Sequence, residues 1–299
     1  MTAAQLVKPC PASGEGKGVH NWVYYAACRL IEAGWSNADA EAEIEWLMTR
    51  EPNPPSEVMD ALRSARGDRR RSTPRWSPMN PTAIGEIVKN GPTLVEVASR
   101  SPEPIQFGPH SRAEMFIDSL FPGNPLLCCG ASSSRFCTAH REKFRGLLPM
   151  YTLIVPSTMS SHKGRTKQGK LSAHCEANTG PRRFLVVEFD NGTLNRQAAL
   201  LWHLAQFAPL ALVVFSGNKS AHGWFFSQGQ PEDKLRRFFD YAVSLGADPK
   251  TWSRCQFVRM PDGRRADGKI SNALSVAGIA QLPPNGRQAV VYFDSEVIQ

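Results

Sequence analysis

The chain has no long apolar run, since no window approaches the roughly 18 uncharged apolar residues that a transmembrane helix requires. The N-terminal stretch also lacks the apolar segment of a secretory signal peptide. Cysteine is sparse: 7 residues are scattered over 299, an odd number that does not suit the disulfide framework of a small secreted domain. These absences predict a reduced, cytoplasmic protein without a membrane span.

Acidic residues are fewer than basic ones. The sequence holds 27 Asp and Glu against 35 Lys and Arg, a formal net charge of +8 at pH 7. This surplus favours a polyanionic partner, with nucleic acid or nucleotide phosphates first and an anionic membrane surface second. Apolar residues make up 41%, which permits a buried core and excludes collagen-like and wholly disordered chains. No Walker A motif is present, so the sequence gives no sign of a P-loop nucleotide-hydrolysing motor.

The first quarter of the chain predicts a small helical domain. Residues 1–18 are punctuated by Pro, Gly and Ser, and we expect them to be disordered. Residues 19–68 then show amphipathic spacing and capping signals. The expected helices cover 20–33, a segment capped by Ser36, and 56–65.

A linker is predicted over residues 69–109, where prolines recur, although residues 84–88 and 94–98 could each form a helical turn. It begins with a basic cluster formed by Arg69, Arg70, Arg71 and Arg75. These arginines are either a solvated hinge or contacts to phosphate. The remainder, 110–299, has the patterning of one compact domain.

Alternating strand and helix signals fill the second half of that domain. A buried strand at 151–155 precedes a series whose order is β-α-β-β-α-β. Its strands are expected at 184–190, 210–215, 221–226 and 255–259, with helices at 193–207 and 231–245. This order predicts an α+β fold with a ferredoxin-like, or RRM-like, sheet in which the first and third strands are neighbours.

Two carboxylates lie on the first strand of that series. Glu188 and Asp190 are two residues apart, so both point from the same face of the sheet. Carboxylates so close repel each other unless a cation lies between them, and Mg²⁺ or Mn²⁺ prefers such oxygen ligands. The alternative is an ordinary pair of charges at a strand end.

A Gly-containing turn joins the second and third strands, in the sequence SGNKSAHGWF. Gly217 permits backbone conformations that bring N–H groups close to a phosphate, while Lys219 and Ser220 supply a cation and a hydroxyl. His222, on the third strand, would project beside the carboxylates. A structural histidine is the alternative.

Taken with an Asp about a dozen residues before an Arg-x-Pro, these motifs resemble the archaeo-eukaryotic primase superfamily, the primase-polymerases of plasmids, phages and other mobile elements. The resemblance covers about residues 145–299 and implies an RRM-like catalytic sheet. It further implies two divalent ions, Mg²⁺ or Mn²⁺, and a role for each matching residue. Glu188, Asp190 and Asp248 would be metal ligands, Ser220 and His222 would contact nucleotide phosphates, and Arg259 would be the basic residue after the third motif. Asp262 and Asp267 are alternatives to Asp248, which spacing favours. The helical domain is similar to those that accompany mobile-element primases.

The implied activity is a DNA primase-polymerase reaction, in which NTPs or dNTPs are joined to a 3′-hydroxyl on a single-stranded DNA template. Lys219, His222 and Arg259 would stabilise charge on the leaving pyrophosphate. A replicative helicase would be a separate partner. The alternative is a replication initiator or accessory protein that binds nucleic acid without catalysis. A small-molecule nucleotidyltransferase would leave the basic surplus without a use.

Three further groups of residues have two interpretations each. A basic segment is either a template or triphosphate track or a solvated loop, and its members are Lys163, Arg165, Lys167, Lys170, Arg182 and Arg183. A possible zinc set consists of Cys128, Cys129, Cys137 and His140. Adjacent cysteines rarely ligate one ion, so buried thiols are expected and zinc is not. Aromatic side chains that either stack on bases or pack in the core are Trp202, Trp224 and Phe225.

Overall fold

The computed structural model describes residues 2–12, 18–70, 76–265, 273–279 and 286–298. The chain divides into two compact units, Met1–Arg75 and Trp76–Gln299. Within the described ranges, no helix combines the length and the apolar character needed to cross a bilayer.

The first unit is helical. Its helices are α1 (Ala3–Leu6), α2 (Gly18–Glu32), α3 (Asn37–Leu47) and α4 (Glu57–Arg70). The side chain of Ser36 accepts a hydrogen bond from the backbone of Asp39, which confirms the predicted N-cap. Apolar residues of α2, α3 and α4 share one core, to which Leu30, Ile44 and Leu62 contribute.

The expectation of a disordered N-terminus is wrong for the residues around α1. Ala3 and Val7 are buried in the helical core, because these apolar side chains follow helical spacing despite the prolines that come after them. Residues 13–17 lie outside the described part of the chain.

The predicted linker is also wrong over residues 76–109. These residues belong to the second unit and form α5 (Pro81–Asn90) and α6 (Leu94–Ser99). Ile84, Leu94 and Val97 are buried in its core. Pro81 begins a helix, a position that proline favours, so the recurring prolines mark helix starts and turns rather than a flexible segment. Arg71 and Arg75 lie outside the described residues.

Trp76 attaches the start of this segment to the rest of the second unit. Its ring packs edge-on against Phe239, with centroids 5.1 Å apart, and the guanidinium of Arg236 lies 3.4 Å from its ring centroid. Ser77 is bonded by backbone and hydroxyl to the carboxylate of Asp240, at 2.8 and 2.6 Å. The chain is therefore fixed in place from Trp76 onward.

The second unit is α+β with antiparallel pairing in every described ladder. The elements after α6 are α7 (Ala113–Leu120), β1 (Leu126–Ser132), β2 (Arg135–His140), β3 (Leu153–Ile154), β4 (Gly164–Arg165), β5 (Leu171–Ser172), β6 (Phe184–Phe189), α8 (Leu194–Leu204), β7 (Leu210–Phe215), β8 (Ala221–Phe226), α9 (Glu232–Ser244), β9 (Val258–Arg259), α10 (Ala273–Val276) and β10 (Val290–Phe293). They form sheets of order β2-β1-β3-β9 and β10-β7-β8-β6, and a β4-β5 hairpin.

The predicted series is present from β6 to α9, and β6 pairs with β8 as expected. The last strand does not complete the ferredoxin-like sheet. β9 has two residues and pairs with β3, so that Leu153 opposes Arg259 in the other sheet. The chain before β9 passes through a 3₁₀ turn (Pro249–Trp252) that packs against β6, and β3 offers an open edge. The expectation of one continuous βαββαβ sheet is therefore wrong in its last strand.

Successive side chains of β6 alternate between two hydrophobic cores. Leu185, Val187 and Phe189 pack in the core that contains α8 and α9, whereas Phe184 and Val186 pack in the core that contains α7 and residues of the first sheet. Position 188 shares the face of 184 and 186. Its side chain is therefore directed toward the side of the sheet on which β9 lies.

Candidate functional site

Glu188 is the centre of the candidate site. It lies opposite His222 in the β6–β8 ladder, and its Oε1 is 3.2 Å from Nε2 of His222. The hydroxyl of Ser220 donates to the same oxygen at 3.2 Å. The side chain of His222 is only 2% exposed and that of Glu188 is 20% exposed.

Burial shifts the pKa values of Glu188 and His222 in opposite directions. Burial, with repulsion from Asp190, raises the pKa of Glu188 to about 7, although Ser220 and Arg259 oppose the rise. Burial, with the nearby charge of Arg259, lowers the pKa of His222 to about 3. Near pH 7 the imidazole is therefore neutral and Glu188 is divided between its two forms. The pair is therefore a close contact between a neutral imidazole and a partly protonated carboxyl group rather than an ion pair.

The orientation of His222 excludes a serine nucleophile triad. In such a triad the acid contacts one ring nitrogen and the serine the other. Here Glu188 and Ser220 both approach Nε2, and Nδ1 is buried without a hydrogen-bond partner among the described residues. Because an unpartnered N–H costs more than an unpartnered lone pair, we assign the proton to Nε2. Ser220 is also buried, which keeps a substrate away from its hydroxyl.

Asp190 and Lys219 form the open rim of the site. Nζ of Lys219 lies 3.7 Å from Oδ1 of Asp190, and the two side chains are 60% and 41% exposed. A pair this exposed is weak, so Lys219 can exchange Asp190 for another anion at little cost. Gly217 has φ of +86°, the left-handed conformation that the turn requires.

Asp248 and Arg259 reach Glu188 from two other segments. The backbone N–H of Asp248 donates to the carbonyl of Glu188 at 2.9 Å, which attaches the segment after α9 to β6. The carboxylate of Asp248 accepts from the backbone of Lys250 and caps the 3₁₀ turn. Arg259 comes from the first sheet, and its charge acts on the pKa of Glu188. The backbone of Asp248 and the charge of Arg259 thus act on the strand end that carries Glu188.

Asp262, the alternative to Asp248 as the third metal ligand, has other partners than the candidate site. The carboxylate of Asp262 is buried, accepts from the backbone of Arg112 and pairs with Arg287 at 3.3 Å. This carboxylate joins separate segments of the fold. Asp267 lies outside the described residues.

The described carboxylates do not form a ready-made metal site. No group of three or more His, Cys, Asp or Glu side chains among the residues that the structure describes is arranged to hold a metal ion. Asp190 pairs with Lys219, and Asp248 caps its own turn. Their oxygen chemistry suits a hard cation, but the ligand set is not assembled in this arrangement.

The basic segment separates into two parts. Arg182 and Arg183 are engaged within the fold: Arg182 pairs with Glu232 at 3.2 Å, and its guanidinium lies 4.2 Å from the ring centroid of Trp252. Arg183 donates to the carbonyl of Leu120. Partners within the fold thus already engage both arginines, which favours a structural role for them over membership of a track.

The other part is the β4–β5 hairpin. Its exposed cations make no ion pair with any residue in the described ranges, and they are Lys163, Arg165, Lys167 and Lys170. The base of the hairpin is rigid, since the buried amide of Asn178 donates to the carbonyls of Ser161 and Ala173 at 3.1 and 3.0 Å. Gly164 lies so close to Asn178 that an added Cβ would be 2.9 Å from its Cβ.

The cysteine and aromatic groups are mostly part of the core. Cys128 and Cys129 are buried, and burial raises the pKa of Cys128 to about 12. Cys137 is exposed on β2, and all seven cysteines are free thiols. Trp224 and Phe225 are fully buried, as expected for core residues. Trp202 is partly buried and lines a surface cleft, with Arg100 lying 5.0 Å from its ring centroid.

Gln197 is a buried residue beside the site that the sequence motifs did not indicate. It is fully buried on α8 and bonds to the segments on both sides of the site. The available signal was a polar residue in the inward stripe of the helix, three residues after Leu194 and four before Leu201.

Comparison of the chain with protein-family models, with curated proteins and with solved structures found no match.

Proposed function

We propose that the chain is a template-dependent nucleotidyltransferase of the DNA primase-polymerase type, as its resemblance to the archaeo-eukaryotic primase superfamily implies. The observation that carries the proposal is the convergence on Glu188 and its neighbour Asp190 of three separate chain segments, which contribute the Ser220–His222 strand start, Asp248 and Arg259. Convergence of residues so far apart in sequence is what a reaction centre requires.

The exposed Lys219 and the nearby Arg259 would bind the triphosphate of the nucleotide. Both are cationic and border the acidic centre, so they would bind the nucleotide and stabilise charge on departing pyrophosphate. His222 is neutral and its Nε2 lies 3.2 Å from Oε1 of Glu188, so in the proposal it helps to position that carboxylate. Phosphate contact by His222, as the resemblance implies, would need its buried ring to become accessible.

The proposed cofactor is Mg²⁺ or Mn²⁺, which in this superfamily neutralises the triphosphate. It rests on the resemblance and on the carboxylate chemistry of Glu188, Asp190 and Asp248.

The proposed template partner is single-stranded DNA, bound through the β4–β5 hairpin. Four exposed cations on a hairpin whose base is held by Asn178 suit the regularly spaced charges of a phosphate backbone. A replicative helicase acting as a separate protein completes the proposed set of partners.

The direct test is incorporation of labelled dNTPs and NTPs on a single-stranded template, with and without a primer. Mg²⁺, Mn²⁺ and EDTA are compared in parallel. We expect metal-dependent incorporation by the natural chain and by Asp233→Asn, an exposed helix carboxylate away from the site. Asp190→Asn should be folded and inactive. Absence of incorporation under every condition would refute the proposal.

The second candidate is a nucleic-acid-binding replication initiator or accessory protein. It is favoured by the lack of a three-ligand group among the described residues and by the Lys219–Asp190 pair, which neutralises one acid. This candidate predicts binding of single-stranded DNA that is independent of divalent ions, with no incorporation.

A further inference from the structure

A single buried amide lies between the two loops that border the candidate site. Gln197 is 0% exposed on α8, with Leu194 and Leu201 on the same face. Burial of a carboxamide is unfavourable unless its polar atoms are hydrogen-bonded. The partners of Gln197 therefore indicate why this position is polar.

The two ends of the amide bind both loops. Nε2 donates to the carbonyl of Lys219 at 2.9 Å and to the carbonyl of Gly192 at 3.3 Å, with the carbonyl of Asn191 at 3.5 Å. Oε1 accepts from the backbone N–H of Ala221 at 2.7 Å. One side chain thus joins the loop that directly follows Asp190 to the turn that carries Lys219 and Ser220.

We propose that Gln197 is a positioning residue for the site, and this inference rests on the proposed nucleotidyl transfer. It holds the β7–β8 turn against the β6–α8 loop, so that Lys219 is kept at 3.7 Å from Asp190 and Ser220 at 3.2 Å from Glu188. Gln197 is buried beneath both loops and does not itself contact a substrate.

A purely structural role makes a different prediction. If the amide only stabilised the fold, its loss would lower the melting temperature, and the molecules that stay folded would bind nucleotide normally. If it positions the site, folded molecules would have a loose turn and would bind nucleotide poorly. Displacement of a binding group by about 1 Å can reduce a rate by about 10²-fold.

The test uses the full chain carrying Gln197→Met, which keeps the volume and removes the hydrogen bonds. Gln206→Met, at an exposed glutamine just after α8, is the control for the substitution. Leu200→Ala, in the core on the same helix, is the control for lost stability. If Gln197→Met does not fold, Gln197→Asn is used, because it keeps a neutral amide but is one methylene too short to bind both loops.

Three quantities are measured well below the melting temperature of each variant: hydrogen exchange of residues 216–221, KM for the nucleotide, and Kd for single-stranded DNA. We expect Gln197→Met to speed exchange of the Ala221 amide about tenfold and to raise KM by about 10- to 100-fold, with the DNA Kd within about twofold. Both controls should leave exchange of the turn and KM near their original values.

Unchanged exchange in residues 216–221 would overturn the inference, and so would an equal rise of KM in Leu200→Ala. If the natural chain incorporates no nucleotide, the proposed function fails. The exchange measurement still decides whether Gln197 holds the turn, so the two failures are distinguishable.

Discussion

Glu188 and His222 face each other across the β6–β8 ladder with 3.2 Å between Oε1 and Nε2, and each is held away from its ordinary charge state. The pKa of Glu188 is raised to about 7 and that of His222 is lowered to about 3. Both shifts arise mainly from burial, which disfavours the charged form of either group. The two groups therefore give the stability of the folded state two opposite dependences on pH.

The first prediction concerns stability against pH. Glu188 favours the folded state fully below its ordinary pKa of 4.5, and this contribution is lost as the pH rises through about 7. His222 favours the folded state above its ordinary pKa of 6.5, and this contribution is lost as the pH falls through about 3. Between pH 4.5 and 6.5 the two groups therefore change the free energy of unfolding with opposite slopes. Each slope should be measurable when the other group is replaced.

Glu188→Gln should therefore make the free energy of unfolding rise with pH across this window, and His222→Gln should make it fall. The gain of Glu188→Gln over the natural chain at pH 8 should be at most about 3 kcal/mol. Urea unfolding at pH 5 and pH 8 measures both slopes. Glu86→Gln, an exposed acid on α5, should change neither. Parallel pH profiles for the two site variants would contradict the assignment.

The second prediction concerns Asp190. Asp190→Asn removes a charge at nearly constant volume, and the exposed pair with Lys219 contributes little to stability. We expect a melting temperature within a few degrees of the natural chain and at least about a 10²-fold loss of nucleotide incorporation. Incorporation that continues undiminished in the folded variant would remove Asp190 from the mechanism.

The third prediction concerns the β4–β5 hairpin. Replacing Lys163, Arg165, Lys167 and Lys170 together by Ala should weaken binding of single-stranded DNA. If all four contact phosphates, the slope of log K against log salt should become shallower by about 3, at roughly 0.7 for each contact. Binding is titrated at several salt concentrations by fluorescence anisotropy. Lys234→Ala on α9 is the control. An unchanged slope would leave the hairpin as a solvated loop.

Arg182 is a useful contrast within the same basic segment. Arg182→Ala should lower stability, because the guanidinium is buried against Trp252 and Glu232. We expect it to leave the salt slope of DNA binding unchanged. Loss of slope without loss of stability would show that Arg182 contacts DNA after all.

The fourth prediction concerns where the second unit begins. A fragment that starts at Trp76 should fold, whereas one that starts at the predicted boundary of residue 110 should not. The shorter fragment lacks Ile84, Leu94 and Val97, and each buried side chain of this kind stabilises by about 1.5–3 kcal/mol. Their sum is comparable with the whole stability of a domain. Circular dichroism and thermal melting of both fragments provide the measurement, and a cooperative transition in the shorter one would contradict it.

The sequence predicted those parts of the site that depend on local pattern. The run from Phe184 to Phe189 is continuously apolar except at Glu188, so its strand character and the face of its carboxylate followed from alternation alone. The pairing of His222 with Glu188 followed from the expected neighbouring of the first and third strands.

Contacts between distant segments could not be predicted from the sequence. The two residues of β9 pair with β3, about 100 residues earlier, and so short a strand carries no pattern that names its partner. Arg182 was indistinguishable from Lys163 by composition, because its partners Glu232 and Trp252 come from later elements. The apolar residues at 84–88 and 94–98 indicated a helical turn each, but the prolines around them hid that these turns belong to the core of the second unit.

The position of Arg259 has one more consequence. Glu188 belongs to one sheet and Arg259 to the other, yet the charge of the second acts on the ionisation of the first. Burial and Asp190 contribute more to the pKa of Glu188, so Arg259 sets only part of the fraction that is ionised near pH 7. A change in the distance between Arg259 and Glu188 would still alter the carboxylate stretching band of Glu188 in isotope-edited infrared spectra. That band therefore reports the influence of one sheet on the other without any ligand or substrate.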